Sequence, residues 1–572
     1  MKWYHQIVEK NDDITESQLE HQVMDKNSKY FGGITNQATG IPSPSHTGTC
    51  SVIGSWVCSY VNADAEYYHS HELAERMELA LDYMLTQQHE DGTISPGWTN
   101  YHSPPDTAFI ITGFAQIYWL LQKDGSRLAE KVNLFLKRTI PAMLTGGCHT
   151  PNHRWVLTSA LSHLYTIFED PPALKERAEQ WLQEGMDITK DGEWTERSNG
   201  IYNSVSNICL YHTASLLGKP ALFQYIRENL DMMKFLVHPD GEVVTDYSGR
   251  QDLGNRYDLT PPYHLIYHLM AYKDDNPQYM AMAELALDRL SEVGPVNNHL
   301  MLGYLSFPFL QEEKVEKAEL PKEYEIFINE NYPVKESLDK MDEVGHHSKI
   351  VHSSMHRSFG AQTVRYRKQN RSATIMGMNP SIFSLYNGKA KLLGTQIYTS
   401  FSPGVVEFDA IHRIEGGYRL STTLEKGYTG PLPSSYTNQE GERSTWYLLP
   451  HQLRPPTHTQ FLQISVDILK EENNWTIALQ TDPLEDVFIQ VVFIFNQEAM
   501  IRSDGVSEID KNNHLWKDGQ LNIRMGNDRM SISLGAYEHW QKSLGSMKSS
   551  ENIQEYRVNV LSPVNKRFLI TI

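Results

Sequence analysis

Four polar, aromatic-rich stretches interrupt an otherwise apolar N-terminal half, and they concentrate the residue types that anion recognition and proton transfer need. They run from Trp98 to Asp106 (WTNYHSPPD), His149 to Trp155 (HTPNHRW), Glu193 to Asn203 (EWTERSNGIYN) and Asp246 to Asp252 (DYSGRQD). Glu193 and Glu196 share one stretch, and Asp106 and Asp252 stand in two others, so a pair of carboxylates could divide general-acid and general-base work. Arg154, Arg197 and Arg250 offer guanidinium forks that fit a carboxylate two bonds at a time. Asn100, His102 and Tyr247 add donors and a stacking surface for a ligand. Asn152, His153 and Tyr202 supply an amide, an imidazole and a phenol.

Each of these residues also has a purely structural use. Asn152 follows Pro151 and precedes the apolar Trp155-Val156-Leu157, so it reads equally well as a helix N-cap. Asp106 precedes Ala108-Phe109-Ile110-Ile111, where an N-cap is also expected. Tyr202 by itself reads as a core residue. His149 and His153 stand four apart, as two ligands on one helix face would, but Pro151 lies between them and no third ligand is evident, so no metal is expected. No phosphate-cradling glycine motif occurs, and no organic cofactor is expected.

The elements that must position these residues divide the chain in two. Up to about residue 310 the apolar spacing is helical: Leu73, Met77, Ala80, Leu81, Met84 and Leu85 form one stripe, and Leu128, Val132, Phe135, Leu136 and Ile140 another. Leu174, Ala178, Trp181 and Leu182 repeat it, as do Met282, Leu285, Ala286, Arg289 and Leu290 with one interruption. Turns at Asp91-Gly92, Gly146-Gly147, Asp191-Gly192 and Asp240-Gly241 recur at roughly fifty-residue intervals, the length of a helical hairpin with its loops. The four polar stretches come from successive hairpins, and a closed array would gather them at one mouth. A charge-dense stretch from about 316 to 345 reads as a connector. Beyond it the period becomes two: Gln460–Leu469, Trp475–Gln480, Val487–Phe495, Met530–Leu534 and Arg567–Ile572 read as strands. The expectation is an (α/α) toroid over 1–315, incomplete or of six hairpins, a connector over 316–345, and an antiparallel β-sandwich-like domain over 346–572.

The formal net charge of −19 argues against general binding of nucleic acid or anionic membrane, and any acidic ligand must be captured by a locally positive cleft. The four cysteines (Cys50, Cys58, Cys148, Cys209) include no CxxC pair and read as reduced thiols. The residues following Met1 lack an apolar signal core, and no window approaches a membrane span, so a cytoplasmic protein is expected. Nothing in the chain speaks to self-association.

This layout and these loops resemble the heparinase II/III-like polysaccharide lyases and their relatives, which join an (α/α) toroid to antiparallel β-sheets. In such lyases an Asn-His pair opens an inner helix and a Tyr follows about fifty residues on. Asn152-His153 and Tyr202, 49–50 positions apart, match that pattern. The family often adds a histidine from the β domain, for which His356 is the first candidate and His352 the second. The resemblance implies β-elimination at a uronic acid of an acidic oligo- or polysaccharide: Asn152, helped by His153 or Arg154, would hold the carboxylate, Tyr202 would exchange the proton, and His356 would assist. The alternative is a toroid-type glycoside hydrolase, an exo-acting β-glucuronidase using carboxylates among Glu193, Glu196 and Asp106. A third reading is a non-catalytic sugar-binding protein.

Overall fold

The computed structural model describes residues 2–97, 100–168, 172–312, 315–344, 356–436, 443, 445–545 and 552–572. Trp98, Thr99 and His352 therefore lie outside the described residues. The chain divides into two compact units, one made of Met1–Lys322 with Asn331–Gly360, the other of Glu323–Glu330 with Ala361–Ile572.

Among the described residues, the first unit holds twelve α-helices ahead of residue 307: α1 (Lys2–Leu19), α2 (Thr49–Val61), α3 (His71–Gln87), α4 (Pro104–Asp124), α5 (Leu128–Thr145), α6 (Pro151–Phe168), α7 (Pro172–Gln183), α8 (Tyr202–Leu216), α9 (Phe223–Met233), α10 (His264–Asp274), α11 (Pro277–Leu287) and α12 (Leu300–Ser306). The even-numbered helices form a closed inner ring: α2 packs on α4, α4 on α6, α6 on α8, α8 on α10, α10 on α12, and α12 back on α2. Odd-numbered helices lie outside them, α5 against α4 and α6, α7 against α6, α9 against α8 and α11 against α10. This is an (α/α) toroid of six hairpins. Outer α3 buries one stripe (Leu73, Met77, Ala80, Leu81, Met84), while inner α4 and α6 are buried almost all round.

Each site loop leads from an outer helix into an inner one, and three are clipped by isolated antiparallel bridges: Ile94–Ser103, Ile188–Trp194 and Val237–Val243. The turns before them bend against the neighbouring outer helix. At Gly92 and Gly192, both at positive φ, an added Cβ would collide with the carbonyls of Arg138 and Glu228.

The described strands of the second unit form two sheets. One runs Glu323–Ile328, Thr363–Lys368, Arg371–Met376, Phe383–Asn387, Ala390–Thr399, Phe488–Asn496, Ile553–Leu561, Asn513–Asp518, Gly505–Asp510, antiparallel except where Asn513–Asp518 meets Ile553–Leu561. The other is built around Gly417–Thr429, Pro456–Lys470, Asn474–Thr481 and Asn565–Thr571. Leu385, Phe493 and Val558 from the first share one apolar core with Leu420, Val466, Ile477 and Phe568 from the second. Such a face-to-face core makes a sandwich. The charged stretch expected as a connector supplies an edge strand, Glu323–Ile328, whose backbone pairs with Thr363–Lys368, and then the helix Val334–Val344 of the first unit. His356, expected from the β domain, consequently belongs to the helical unit.

Candidate active site

Asn152 is the second residue of α6, one position inside the helix that Pro151 opens, so its side chain does not cap the helix. Instead its amide donates to Glu196 Oε2 at 2.6 Å and to Thr150 Oγ1 at 3.3 Å. Glu196 comes from the loop before α8, and its other oxygen pairs with Arg250 from the loop before α10. The Arg250 guanidinium lies 4.4 Å over the ring of Tyr202, the first residue of α8. Gln251 completes the chain by donating to the Tyr202 hydroxyl at 3.1 Å. Three loops thus meet through four side chains: Asn152, Glu196, Arg250 and Tyr202.

Three histidines stand around them. His153 is buried, edge-on to Phe109 and His149, with ring centroids 6.0 and 4.8 Å away. His46, from the loop before α2, stacks on the other ring of that group, Phe109, at 4.4 Å. His356 sits against the Asp246–Asp252 loop, where a Cβ added to Gly249 would come within 3.1 Å of its Nδ1. Asn152 Oδ1, His153 Nδ1 and His356 Nε2 are buried and have no hydrogen-bond partner among the described residues. A native interior rarely leaves so many polar atoms unpaired in one place, and a polar ligand would satisfy them.

Burial sets the protonation of this cluster. It pushes the Glu196 carboxyl up to about 7, with Asp187 adding to the rise and Arg250 and Asn152 opposing it. The short ion pair with Arg250 is outweighed because Glu196 is only 2% exposed. Burial holds His153 down to about 3, helped by His149, Arg250 and His46, and His356 down to about 4, helped by Arg250 and Arg197. Both imidazoles are neutral at neutral pH and can accept a proton or a hydrogen bond.

The remaining expected residues are bound into the scaffold. Arg154 pairs with Asp187 at 2.8 Å and Glu184 at 3.2 Å. Asn100 donates to Asp106, which also accepts from the hydroxyl of Ser103, the N-cap of α4, while the Asp106 N–H donates back to that hydroxyl, so Asp106 is tied to the helix start. His102 is exposed, stacked on His89 and paired with Asp91. Glu193 is fully buried, accepting the Gly360 N–H at 2.9 Å and lying 3.2 Å from Arg197 Nε. Arg197, equally buried, lies 4.8 Å over the ring of Tyr247. Asp252 accepts from Ser198, Ser248 and the Gly200 N–H, tying the loops before α8 and α10 together. His46, Gln251 and Asp187 escaped the sequence reading. His46 sits in Ser43-Pro44-Ser45-His46-Thr47-Gly48, a turn-rich run before an inner helix like the other site loops, and that position was its only signal.

No family model matches the chain, and no curated protein matches it in sequence. Solved structures do. Chondroitin AC lyase of Streptomyces coelicolor A3, in complex with chondroitin sulphate, is similar over 99% of this chain and 79% of its own, at 10% identity and a TM-score of 0.52. Heparinase III is similar over 98% and 84%, at 10% identity and 0.53. A Paenibacillus xanthan lyase is similar over 100% of this chain but 57% of its own, at 10% identity and 0.54. At such identity the likeness is one of fold: the chain is built on the toroid-plus-antiparallel-sheet fold of the polysaccharide lyases.

Proposed function

We propose that this protein is a carbohydrate-active lyase that cleaves a 4-linked sugar from a uronic acid residue of an acidic oligo- or polysaccharide. The observation that carries the reading is the continuous chain Asn152–Glu196–Arg250–Tyr202, flanked by the neutral imidazoles of His153 and His356.

Elimination must remove the C5 proton, which is too weakly acidic while the adjacent carboxylate keeps its full charge. The amide of Asn152, with His153 beside it, hydrogen-bonds that carboxylate and stabilises the enolate-like transition state. Tyr202 takes the C5 proton on its phenolate oxygen. The electron pair forms the C4=C5 double bond, the C4–O bond breaks, and the phenol returns the proton to the leaving oxygen. Arg250 lies over the ring of Tyr202. His356, beside Arg250, accepts a hydrogen bond from the sugar or relays the proton.

Hydrolysis needs two carboxylates facing the bond from opposite sides. Glu196, held near neutrality, has the proton affinity of a general acid. The other candidates, Glu193 and Asp106, are buried and already bonded, as is Asp252, so elimination is the better-supported reading. The test is the product spectrum from a panel of glucuronate-, galacturonate- and iduronate-containing oligosaccharides. A product whose new double bond absorbs in the ultraviolet is expected. A non-absorbing product that incorporates oxygen from labelled water would overturn elimination in favour of hydrolysis.

A further inference from the structure

The Asn152 amide presents the wrong end to an anion. Both N–H hydrogens are directed at neighbours, Glu196 Oε2 and Thr150 Oγ1, and the buried atom left without a partner among the described residues is the acceptor Oδ1. A carboxylate brought to that atom would meet oxygen against oxygen. Resting on the elimination reading above, we propose that Glu196 is a positioning residue that decides which end of the Asn152 amide meets the substrate. As a carboxylate it holds the NH2 group to itself. As a carboxylic acid it donates its own hydrogen to Asn152 Oδ1, the amide turns over about its last side-chain bond, and the NH2 group takes the position that Oδ1 now occupies. No backbone movement is required, because the amide's two ends are nearly equal in size. The Thr150 hydroxyl accepts from the amide in one orientation and donates to it in the other.

The surroundings of Glu196 keep both forms in reach. Arg250, from the loop before α10, and Asn152, on α6, favour the carboxylate; Asp187, from the loop after α7 and itself paired with Arg154, favours the acid. In its own loop Glu193 and Arg197 lie against each other. His153 and His356, beyond Arg250, are uncharged at neutral pH. Burial outweighs the two favourable partners and brings the carboxyl up to about 7. An arriving uronate adds a negative charge next to the cluster, which draws a proton onto Glu196 and turns the amide toward itself. Substrate capture is thereby coupled to uptake of one proton.

Two measurements on the full chain decide this. The first needs no substrate: the thermal midpoint of Glu196→Gln is compared with the wild type from pH 5.5 to 8.5. The variant is expected to gain on the wild type as pH rises from 5.5 to about 7 and to hold that gain above it, and a difference that is constant over the whole range overturns the proposal, because Glu196 then does not change its protonation. The second is the pH profile of kcat/KM on whichever panel substrate yields the absorbing product. The wild type is expected to lose about tenfold per pH unit above 7. Glu196→Gln, whose amide NH2 fixes the turned-over orientation, is expected to start about tenfold lower at pH 6, to stay flat, and to overtake the wild type by pH 8.5. Retention of the wild-type alkaline limb in Glu196→Gln, or inactivity of that folded variant at every pH, overturns the proposal while leaving elimination standing. If the wild type yields no absorbing product from any substrate, the elimination reading falls and takes the substrate half of the proposal with it.

Discussion

Tyr202 occupies the boundary between the buried chain of polar groups and the open mouth of the toroid. Its ring lies beneath Arg250, and its hydroxyl accepts one hydrogen bond from the exposed side chain of Gln251. Removing that hydroxyl costs the fold little, since an exposed donor turns back to water. In the proposed elimination it would cost the reaction its proton carrier, and general acid–base groups are worth about 10² to 10⁴ in rate. Tyr202→Phe is therefore expected to lower kcat at least about a hundredfold with an unchanged thermal midpoint, measured by initial rates of ultraviolet absorbance and by calorimetry. Full activity in this variant would remove Tyr202 from the mechanism. At this scale the sequence was informative about Asn152, His153 and Tyr202 as a set, because their spacing follows from one hairpin of the toroid. It was silent on the bond from Asn152 to Glu196, 44 residues away, since nothing in either loop's composition says which carboxylate will be left facing the amide.

At the scale of elements, the loops owe their convergence to tight turns against the neighbouring outer helix. Gly192 has φ +95° and no room for a Cβ beside the Glu228 carbonyl, whereas Gly218 has φ +63° and open space around it. An alanine at Gly218 suffers backbone strain alone, roughly 1 kcal/mol. An alanine at Gly192 adds a collision with the backbone of α9, for a further ~1–3 kcal/mol. Urea unfolding of the two variants should show that gap, and equal losses would mean that the close approach does not hold the loop. The same contrast between neighbours explains what the sequence showed of the helices. The outer helices α3, α5 and α7 face water on one side and so carry a periodic stripe that can be counted. The inner helices α4, α6, α8 and α10 are covered on nearly every side, and in them polar residues such as Asn203, Asn207 and His264 are buried among the apolar ones. Periodicity vanishes where burial is uniform. The edge strand Glu323–Ile328 was missed for the opposite reason: only Ile328 is buried, the residues before it are exposed or half-buried, and its charged residues read as a solvated link.

Across the whole molecule, the two units are expected to respond differently to acid. No helix among the described residues is long and apolar enough to cross a membrane, and the buried charge-bearing groups that matter to stability are histidines inside the toroid. His153 and His299 are held down to about 3, and His212, His264 and His356 to about 4, in each case chiefly by burial. All five belong to the helical unit. In an unfolded chain a histidine titrates near 6.5, so between about pH 6.5 and 4 the unfolded state binds protons that the folded toroid refuses. Their contribution to stability is complete above pH 6.5 and is lost as pH falls, by up to about 1.4 kcal/mol per pH unit for each group. Glu196 runs the other way, its raised value favouring the folded state as pH drops below 7, but one group does not offset five. In the sandwich, half-buried His514 and buried His539 are lowered, two groups against five, and they offer a weaker lever. Acid titration is therefore expected to unfold the toroid first: the helical circular-dichroism signal should collapse between about pH 5.5 and 4.5, while fluorescence from Trp475 and Trp516, buried in the sandwich core, persists to lower pH in a variant lacking the toroid's tryptophans and the exposed Trp446 and Trp540. Loss of both signals at one pH, or a helical signal that survives to pH 4, would show that the buried histidines do not govern the stability of the toroid.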